Sequence, residues 1–400
     1  MKTMERFKQP AAIIKELKEN GFDAYFVGGS VRDYLIGREI GDIDIATSAL
    51  PEEVMRIFPR HVPVGIEHGT VVVLKEGIPY EVTTFRTEED YKDFRRPSAV
   101  TFIRSLEEDL KRRDFTMNAI AMTETGQIID PFGGQAAIQK KVIETVGNPH
   151  ERFREDALRM MRGIRFVSTL GFTLAGDTKS AIEENSHLLQ HIAIERITAE
   201  FEKMLTGSFC SKAFQHLVDT KLYKYLPYLE NKSKELRDFA SYPLTVLKTD
   251  TEAWVCLLYI TKLYNVAEVL KSWKLPNKKV KSIAAALKAV ITLDTEKWDS
   301  ILLYKTGKET AMIAQRVRCV LFHNGQEEPV KEIMALYNQL PIHSRQELQV
   351  TGRDLLEWTG KKPGPWVASI LEKIETEVVN NRLQNSKLQI REWLNQCNLI

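Results

Sequence analysis

Gly41-Asp42-Ile43-Asp44-Ile45-Ala46-Thr47 is the stretch on which the fold turns. Its alternation predicts a strand, with Ile43 and Ile45 facing a core and Asp42 and Asp44 facing the other way. Carboxylates at i and i+2 on one strand face lie roughly 7 Å apart. Two metal ions about 3.5–4 Å from each other, the spacing of in-line displacement at phosphorus, fit between such a pair. Taken alone, Asp-x-Asp also suits a turn or a solvated strand edge. Fourteen residues before Asp42 comes Gly28-Gly29-Ser30-Val31-Arg32-Asp33, entered from the apolar run Ala24-Tyr25-Phe26-Val27. This reads as strand, Gly-Gly turn and helix start, an arrangement that receives phosphate. Gly28 and Gly29 let the backbone approach a triphosphate, and Arg32 can grip it from the first helical turn. A phosphate cradle beside paired carboxylates points to nucleotide chemistry.

A hydroxyl that attacks phosphorus must lose a proton beside the metal, which calls for a third carboxylate. Glu81 is the candidate, in the hairpin predicted from Val71-Val72-Val73-Leu74 and Tyr80-Glu81-Val82-Thr83-Thr84 around a Lys-Glu-Gly turn. Ala119–Met122 and Gln127–Ile129 predict a second hairpin, closed by the break Asp130-Pro131-Phe132-Gly133-Gly134. Ala11 to Glu19 predicts an amphipathic helix ended by Asn20-Gly21. Between the hairpins, the charged Thr87–Ser98 reads as a mobile loop. Arg112-Arg113-Asp114-Phe115-Thr116-Met117-Asn118 reads as a helix end leading into a strand, where Arg113 would reach a nucleotide and Asp114 would orient it.

From about Asn148 the β pattern fades. His150 to Thr169 reads as one long helix, Glu195 to Leu205 as another, and Glu252 to Leu270 and Ile283 to Ile291 as further helical stretches. On the first of these, Asp156 and Arg159 are i, i+3 neighbours with Arg162 one turn on, while Ala157, Met160, Met161 and Ile164 cover the other side. That is either a surface ladder of ion pairs or an acceptor beside a donor fork, able to read the edge of a base.

Composition sets the frame. At 400 residues and 43% hydrophobic content the chain can bury a large core in two to four units. A net charge of +2 does not by itself call for a nucleic-acid partner. Cys210, Cys256, Cys319 and Cys397 are scattered without metal-ligand spacing and read as thiols of a reducing compartment. Met1 to Pro10 has no apolar core of a signal peptide and no stretch matches a membrane span, so a cytoplasmic chain without membrane contact is expected.

GGSVRD, GDIDIAT, RRDFTMNA, DPFGG and EDALRMMR occur in the order found in class II tRNA nucleotidyltransferases, and the chain resembles the bacterial CCA-adding enzymes over its whole length. Thr351–Leu355 and Gly360–Pro365 resemble the tail of that family. The resemblance implies an α+β fold: a polymerase-β-like head with a mixed sheet over 1–147, then an all-helical neck over 148–208, body over 209–325 and tail over 326–400. It implies that Asp42 and Asp44 hold two Mg²⁺ ions with Glu81 as third carboxylate, and that Gly28, Gly29 and Arg32 bind the triphosphate. Arg113, Asp156, Arg159, Arg162 and Arg165 match the family's nucleotide-binding positions, with Asp156 and Arg159 pairing with the incoming base in place of a template. The implied partners are the 3′ end and acceptor arm of tRNA, with CTP and ATP; a homodimer is compatible with the sequence.

Three other readings share the head. A poly(A) polymerase is disfavoured by the lack of long basic flanks and by Val64–Thr70, and an enzyme adding only CC by the full-length Thr87–Ser98 segment; one adding only A stays open. A non-catalytic RNA-binding protein would have lost a metal carboxylate, and none is lost. A His-Asp phosphohydrolase is disfavoured, since no histidine is followed by Asp. Lys271, Lys274, Lys278, Lys279, Lys281 and Lys288 lie in a stretch without acidic residues that is either a solvated helix face or a contact to RNA phosphates. Reversing the charge of three of them should weaken tRNA binding in a low-salt binding assay; unchanged affinity would leave the solvated face.

Overall fold

The computed structural model describes residues 2–92, 96–322 and 325–400. The chain divides into two compact units, Met1–Arg237 and Asp238–Ile400. The first begins with α1 (Lys2–Glu19), β1 (Ala24–Val27), α2 (Gly29–Leu35), β2 (Asp44–Thr47), α3 (Pro51–Ile57), β3 (His61–Val62), β4 (Thr70–Lys75) and β5 (Ile78–Thr84). There follow β6 (Arg86–Lys92), β7 (Arg96–Phe102), α4 (Leu106–Lys111), β8 (Ala121–Met122), β9 (Ile128–Ile129), α5 (Gly134–Lys140) and β10 (Val142–Ile143). Helices α6 (Pro149–Glu155) and α7 (Leu158–Leu170), strand β11 (Thr173–Leu174), and helices α8 (Gly176–Asn185), α9 (Ile194–Leu205) and α10 (Cys210–Asp219) complete most of this unit.

Seven strands form one mixed sheet in the order β3-β4-β5-β2-β1-β8-β9. Strands β2 and β5 run parallel, while the other neighbours are antiparallel. Alternation sorts the side chains to two faces. Phe26, Ile43, Ile45, Val71, Val73 and Val82 join Ile13, Ile14 and Leu17 of α1 in one buried cluster. Val27, Ala46 and Ala121 face the other way, packed with Phe85, Leu110 and Val146. Asp44 shares that second face with Ala46. The tight β4–β5 turn places Glu76 and Gly77 at positive φ (52° and 80°), as the right-handed twist of a two-residue hairpin requires.

Both hairpins expected from sequence are present, the second with two-residue strands. Three expectations need correction. The strand carrying the aspartates starts at Asp44, leaving Asp42 exposed just ahead of it. Thr87–Ser98 is not a loop: β6 and β7 pair as an antiparallel ribbon, from Arg86 opposite Phe102 to Lys92 opposite Arg96, and only residues 93–95 lie outside the described residues. The charged sequence of this ribbon shows no period-two apolar pattern to read. Finally, His150–Thr169 is not one helix. Asp156, at φ −137°, separates α6 from α7, and its side chain accepts a hydrogen bond from Leu158 N at 3.1 Å. A short acidic side chain that caps the next helix competes with helical continuity, which hydrophobic spacing cannot register.

Beyond α10 the chain is helical: α11 (Ser233–Ser241), α12 (Asp250–Thr261), α13 (Val266–Ser272), α14 (Asn277–Thr292), α15 (Ser300–Thr306), α16 (Lys308–Phe322), α17 (Glu328–Asn338), α18 (Gly352–Thr359), α19 (Pro365–Val379) and α20 (Lys387–Gln396). The stretch read as helical from Glu252 to Leu270 is the pair α12 and α13, parted by a left-handed Lys262. Ile333, Leu355, Ile374, Val378, Ile390 and Leu394 anchor the core of the second unit's C-terminal half. Lys271, Lys274, Lys278, Lys281 and Lys288 are exposed, whereas Lys279 pairs with Asp250 at 2.5 Å. Among the described residues no single helix is long and apolar enough to cross a membrane.

Gly134, in the Asp-Pro-Phe-Gly-Gly break, starts α5 against residues 116–120. A Cβ there would sit 2.2 Å from the Thr116 carbonyl oxygen and 2.6 Å from Ile120 Cγ1. Gly134→Ala should therefore destabilise the first unit by roughly 1–3 kcal/mol, read as a lower midpoint in denaturant unfolding.

Candidate active site

Parallel pairing of β2 with β5 sets Asp44 directly opposite Glu81. Burial, and then the neighbouring Glu81, push the Asp44 carboxyl up to about 6, Arg113 opposing and Asp42 adding to the rise. Two carboxylates side by side with too little positive charge between them favour a bound cation. Their oxygens are hard donors of the kind Mg²⁺ accepts. Among the described residues no three metal-ligating side chains already converge on one point.

The Gly-Gly turn faces this pair. Gly28 has φ 71°, and a Cβ on it would lie 3.2 Å from Arg113 Nη1 and 3.7 Å from Asp44 Oδ2. Glycine suits the positive φ there, and Arg113 and Asp44 lie against it. Gly29 opens α2, and Arg32 in its first turn is held by Asp33 at 3.0 Å and by Asn118 Oδ1 at 2.7 Å. Arg32, Arg162 and Arg165 all face the ring of Phe166, with guanidinium carbons 5.1, 5.6 and 3.8 Å from its centroid. A buried ring stabilises such a cluster of cations through its quadrupole.

Buried carboxylates aim the arginines. Asp109, 1% exposed, accepts from Arg112 Nε at 3.0 Å and from Arg113 Nη2 at 3.1 Å. It also accepts from the backbone N–H of Arg86, at the root of the β6–β7 ribbon, at 3.3 Å. Asp114 accepts from Arg162 Nε at 2.7 Å, from Asn118 Nδ2 at 3.1 Å and from Phe115 N at 2.8 Å. Asp114 therefore fixes Arg162, while Arg113 is fixed by Asp109. Glu200 on α9 pairs with Arg165 at 2.5 Å.

The break between α6 and α7 changes the expected Asp156–Arg159 geometry. They do not lie on one helix face. The Asp156 carboxylate is engaged by Arg196 of α9 at 2.8 Å. Arg159 pairs with Glu155 and donates to the carbonyls of Arg152 and Arg112 at 3.2 and 3.1 Å.

Most of these side chains, the arginines with Asp44, Glu81, Asp109 and Asp114 among them, line one cavity of about 660 Å³, a size that suits a small-molecule ligand. Of the residues singled out from sequence, Gly28, Gly29, Arg32, Asp44, Glu81, Arg113, Asp156, Arg159, Arg162 and Arg165 border it. Asp42 does not; it faces a neighbouring cavity that Asp44 and Glu81 also border. Sequence reasoning passed over Asp109, Asn118, Phe166 and Arg196, which line the same space. A signal existed for Asp109, an acidic residue three and four positions before Arg112 and Arg113 where a charged helix ends. For Arg196, forty residues from Asp156, there was none.

Residues 24–144 match a family model described as the Poly A polymerase head domain, residues 171–233 one for a probable RNA and SrmB-binding site of polymerase A, and residues 245–394 tRNA nucleotidyltransferase domain 2. A CCA-adding enzyme of Bacillus cytotoxicus is 59% identical over 397 residues, covering 99% of this chain and all of that one. The chain belongs to the CCA-adding enzyme family. The CCA-adding enzyme of Bacillus stearothermophilus in complex with CTP superposes with a TM-score of 0.93 at 49% identity, covering 98% of each chain. The Thermotoga maritima CCA-adding enzyme complexed with tRNA shares the fold, with a TM-score of 0.66 at 20% identity over 97% of this chain and 94% of that one. The CCA-adding fold, a polymerase head with a mixed sheet and a mostly helical remainder, is thus the fold of this nucleotidyltransferase.

Burial alone would push Asp114 up; the Arg162 guanidinium, with the bonds from Asn118 and Arg162, outweighs it and holds the carboxyl at about 2. A carboxyl depressed from 3.8 to about 2 contributes stability that is complete above pH ~4 and lost as pH falls towards 2, on the order of 2 kcal/mol. Asp114→Asn should lower stability near neutral pH by about that amount, with the deficit shrinking below pH ~4 in acid titration of unfolding.

Proposed function

We propose that the arginine-lined cavity holds CTP or ATP, with the triphosphate against Gly28, Gly29, Arg32 and Arg113 and the base towards Asp156 and Arg159. The reaction is the template-independent addition of C, C and A to the 3′ end of tRNA, releasing pyrophosphate. The observation that carries the residue assignment is the direct pairing of Asp44 with Glu81 beside a turn whose Gly28 lies against Arg113 and Asp44. Asp42, Asp44 and Glu81 are the carboxylates proposed to hold Mg²⁺, in two sites. Such ions, when bound, draw charge from the α-phosphate and lower the pKa of the attacking hydroxyl. The chain's own groups do the rest. Arg32, Arg113, Arg162 and Arg165 neutralise the phosphates, and Asp109 and Asp114 keep two of those arginines aimed before substrate arrives.

Base selection follows from donors and acceptors. Cytosine and adenine each present a ring-nitrogen acceptor beside an amino donor, while uracil and guanine present the reverse. Asp156 accepting from the amino group and Arg159 donating to the ring nitrogen suits only the first pair. In this structure Arg196 and Glu155 engage those two side chains, so the entering base exchanges ion pairs for hydrogen bonds.

The proposed layout is a catalytic head over 1–147, a base-reading neck over 148–208, and a body and tail over 209–325 and 326–400 that bind tRNA. Exposed Lys274, Lys278 and Lys281 offer the body's contact to phosphate. With Cys210, Cys256, Cys319 and Cys397 all free thiols, a reducing cytoplasmic location is consistent. The full-length relatives named CCA-adding enzyme disfavour the poly(A) polymerase reading.

The test is incubation with tRNAs ending before CCA, after C and after CC, with labelled CTP or ATP and Mg²⁺. Growth of all three to a stop at CCA is expected, and Asp42→Ala should abolish it. Extension of the CC-ending tRNA alone would mean an A-adding specialist, and long A tracts a poly(A) polymerase. Asp156→Ala should raise UTP incorporation relative to CTP by at least about tenfold in single-nucleotide competition.

A further inference from the structure

Four arginines of the cavity are each matched with a carboxylate: Arg32 with Asp33, Arg113 with Asp109, Arg162 with Asp114 and Arg165 with Glu200. Asp109 also holds Arg112, so the cluster sets five arginines against four carboxylates. One polar side chain within it is uncharged. Asn118 is 7% exposed and ends a one-turn 3₁₀ helix, Thr116–Asn118, between α4 and β8. The chain around it fixes its place. Gly134 lies against the Thr116 carbonyl, and Asp114 Oδ1 accepts from Phe115 N at 2.8 Å at the entrance to the turn.

The Asn118 amide works in two directions. Its Oδ1 accepts from Arg32 Nη1 at 2.7 Å, and its Nδ2 donates to Asp114 Oδ1 at 3.1 Å. Turned over, it would face donor to donor at Arg32 and acceptor to acceptor at Asp114, so its two neighbours select one orientation. One hydrogen-bonded line, Asp33–Arg32–Asn118–Asp114–Arg162, therefore runs from α2 to α7. Arg113 Nη1 joins it by donating to the Asn118 carbonyl at 3.4 Å. A carboxylate at 118 would also accept from Arg32, but it would stand against Asp114 and cancel the one surplus positive charge of the cluster. An amide accepts from Arg32 and leaves that charge in place for an anion.

We infer that Asn118 is a positioning residue for the nucleotide triphosphate: anchored on Asp114, it aims Arg32 at phosphate without neutralising it. The inference rests on the arginine-lined cavity being the CTP and ATP site. Asn118 acts through Arg32, whose guanidinium is otherwise held only along its Nε edge, by Asp33, and by the face of Phe166. Those two contacts leave the Nη1 end without a fixed direction, and the Asn118 bond supplies it. CTP and ATP share the triphosphate, so the contribution of Asn118 is the same for both and independent of the base.

Asn118→Ala and Asn118→Asp would be compared with the wild-type enzyme by thermal unfolding, by equilibrium dialysis of CTP and ATP, and by inhibition of CTP addition with inorganic tripolyphosphate. The Kd of both nucleotides and the inhibition constant of tripolyphosphate should rise together, by about tenfold for alanine and further for aspartate. Preference for CTP over UTP should stay within about twofold of wild type. Added to Arg32→Ala, Asn118→Ala should cost less than about twofold more, because the group it aims is gone. Asn118→Asp keeps the shape of the side chain and carries the test if the alanine variant does not fold. Wild-type nucleotide and tripolyphosphate binding in a folded variant would overturn the inference. So would a tenfold loss that persists on Arg32→Ala, or weaker CTP binding with tripolyphosphate unaffected, since Asn118 would then serve the base or ribose. Failure of the unmodified enzyme to bind CTP would instead sink the reading of the cavity.

Discussion

Everything in the first unit is arranged around two like charges brought together by one register. Once β2 and β5 pair in parallel with Asp44 opposite Glu81, the sheet carries a local excess of negative charge that burial amplifies. A one-residue slip of β5 would turn Glu81 to the face of Ile45 and Val82 and put a carboxylate in the core. The apolar cluster under α1 is therefore what holds the register. Packing on one face of the sheet fixes chemistry on the other.

The opposite problem is solved a few ångströms away. A pocket for phosphate needs many cations held close together before phosphate arrives, and those cations repel one another. Asp109, Asp114 and Glu200 lie beneath the arginines rather than among them, each nearly excluded from solvent. Such pairs contribute geometry more than stability, because desolvation consumes much of the attraction. What they secure is aim: Arg113 at the Gly28 turn, and Arg162 and Arg165 at the mouth of α7.

Much of this was legible in the residues. The Asp44 strand, the Gly-Gly turn and the place of Glu81 follow from short-range alternation and turn chemistry, and every candidate site residue but Asp42 borders one cavity. Asp42 is the exception because its place depends on where the strand begins, and that boundary is set by pairing with β1, not by the local pattern. The segment around Asp156 was misread for a different reason. Hydrophobic spacing runs unbroken through 150–169, since Phe153, Ala157, Met160 and Ile164 keep the three- and four-residue spacing of one helix and are all buried. The interruption is written in a side-chain bond from Asp156 to Leu158 N, which periodicity cannot express. The β6–β7 ribbon was hidden because its sequence carries no period-two apolar pattern.

Phe166 shows how burial can conceal a polar duty. At 3% exposure it counts as a core residue, and a leucine would fill much of the same volume. Yet three guanidinium groups look onto its ring. Aliphatic replacements conserve hydrophobicity but carry no quadrupole to meet those charges. Substitution tolerance at this position is thus governed by electrostatics, and any scale that ranks residues by oiliness will judge it wrongly.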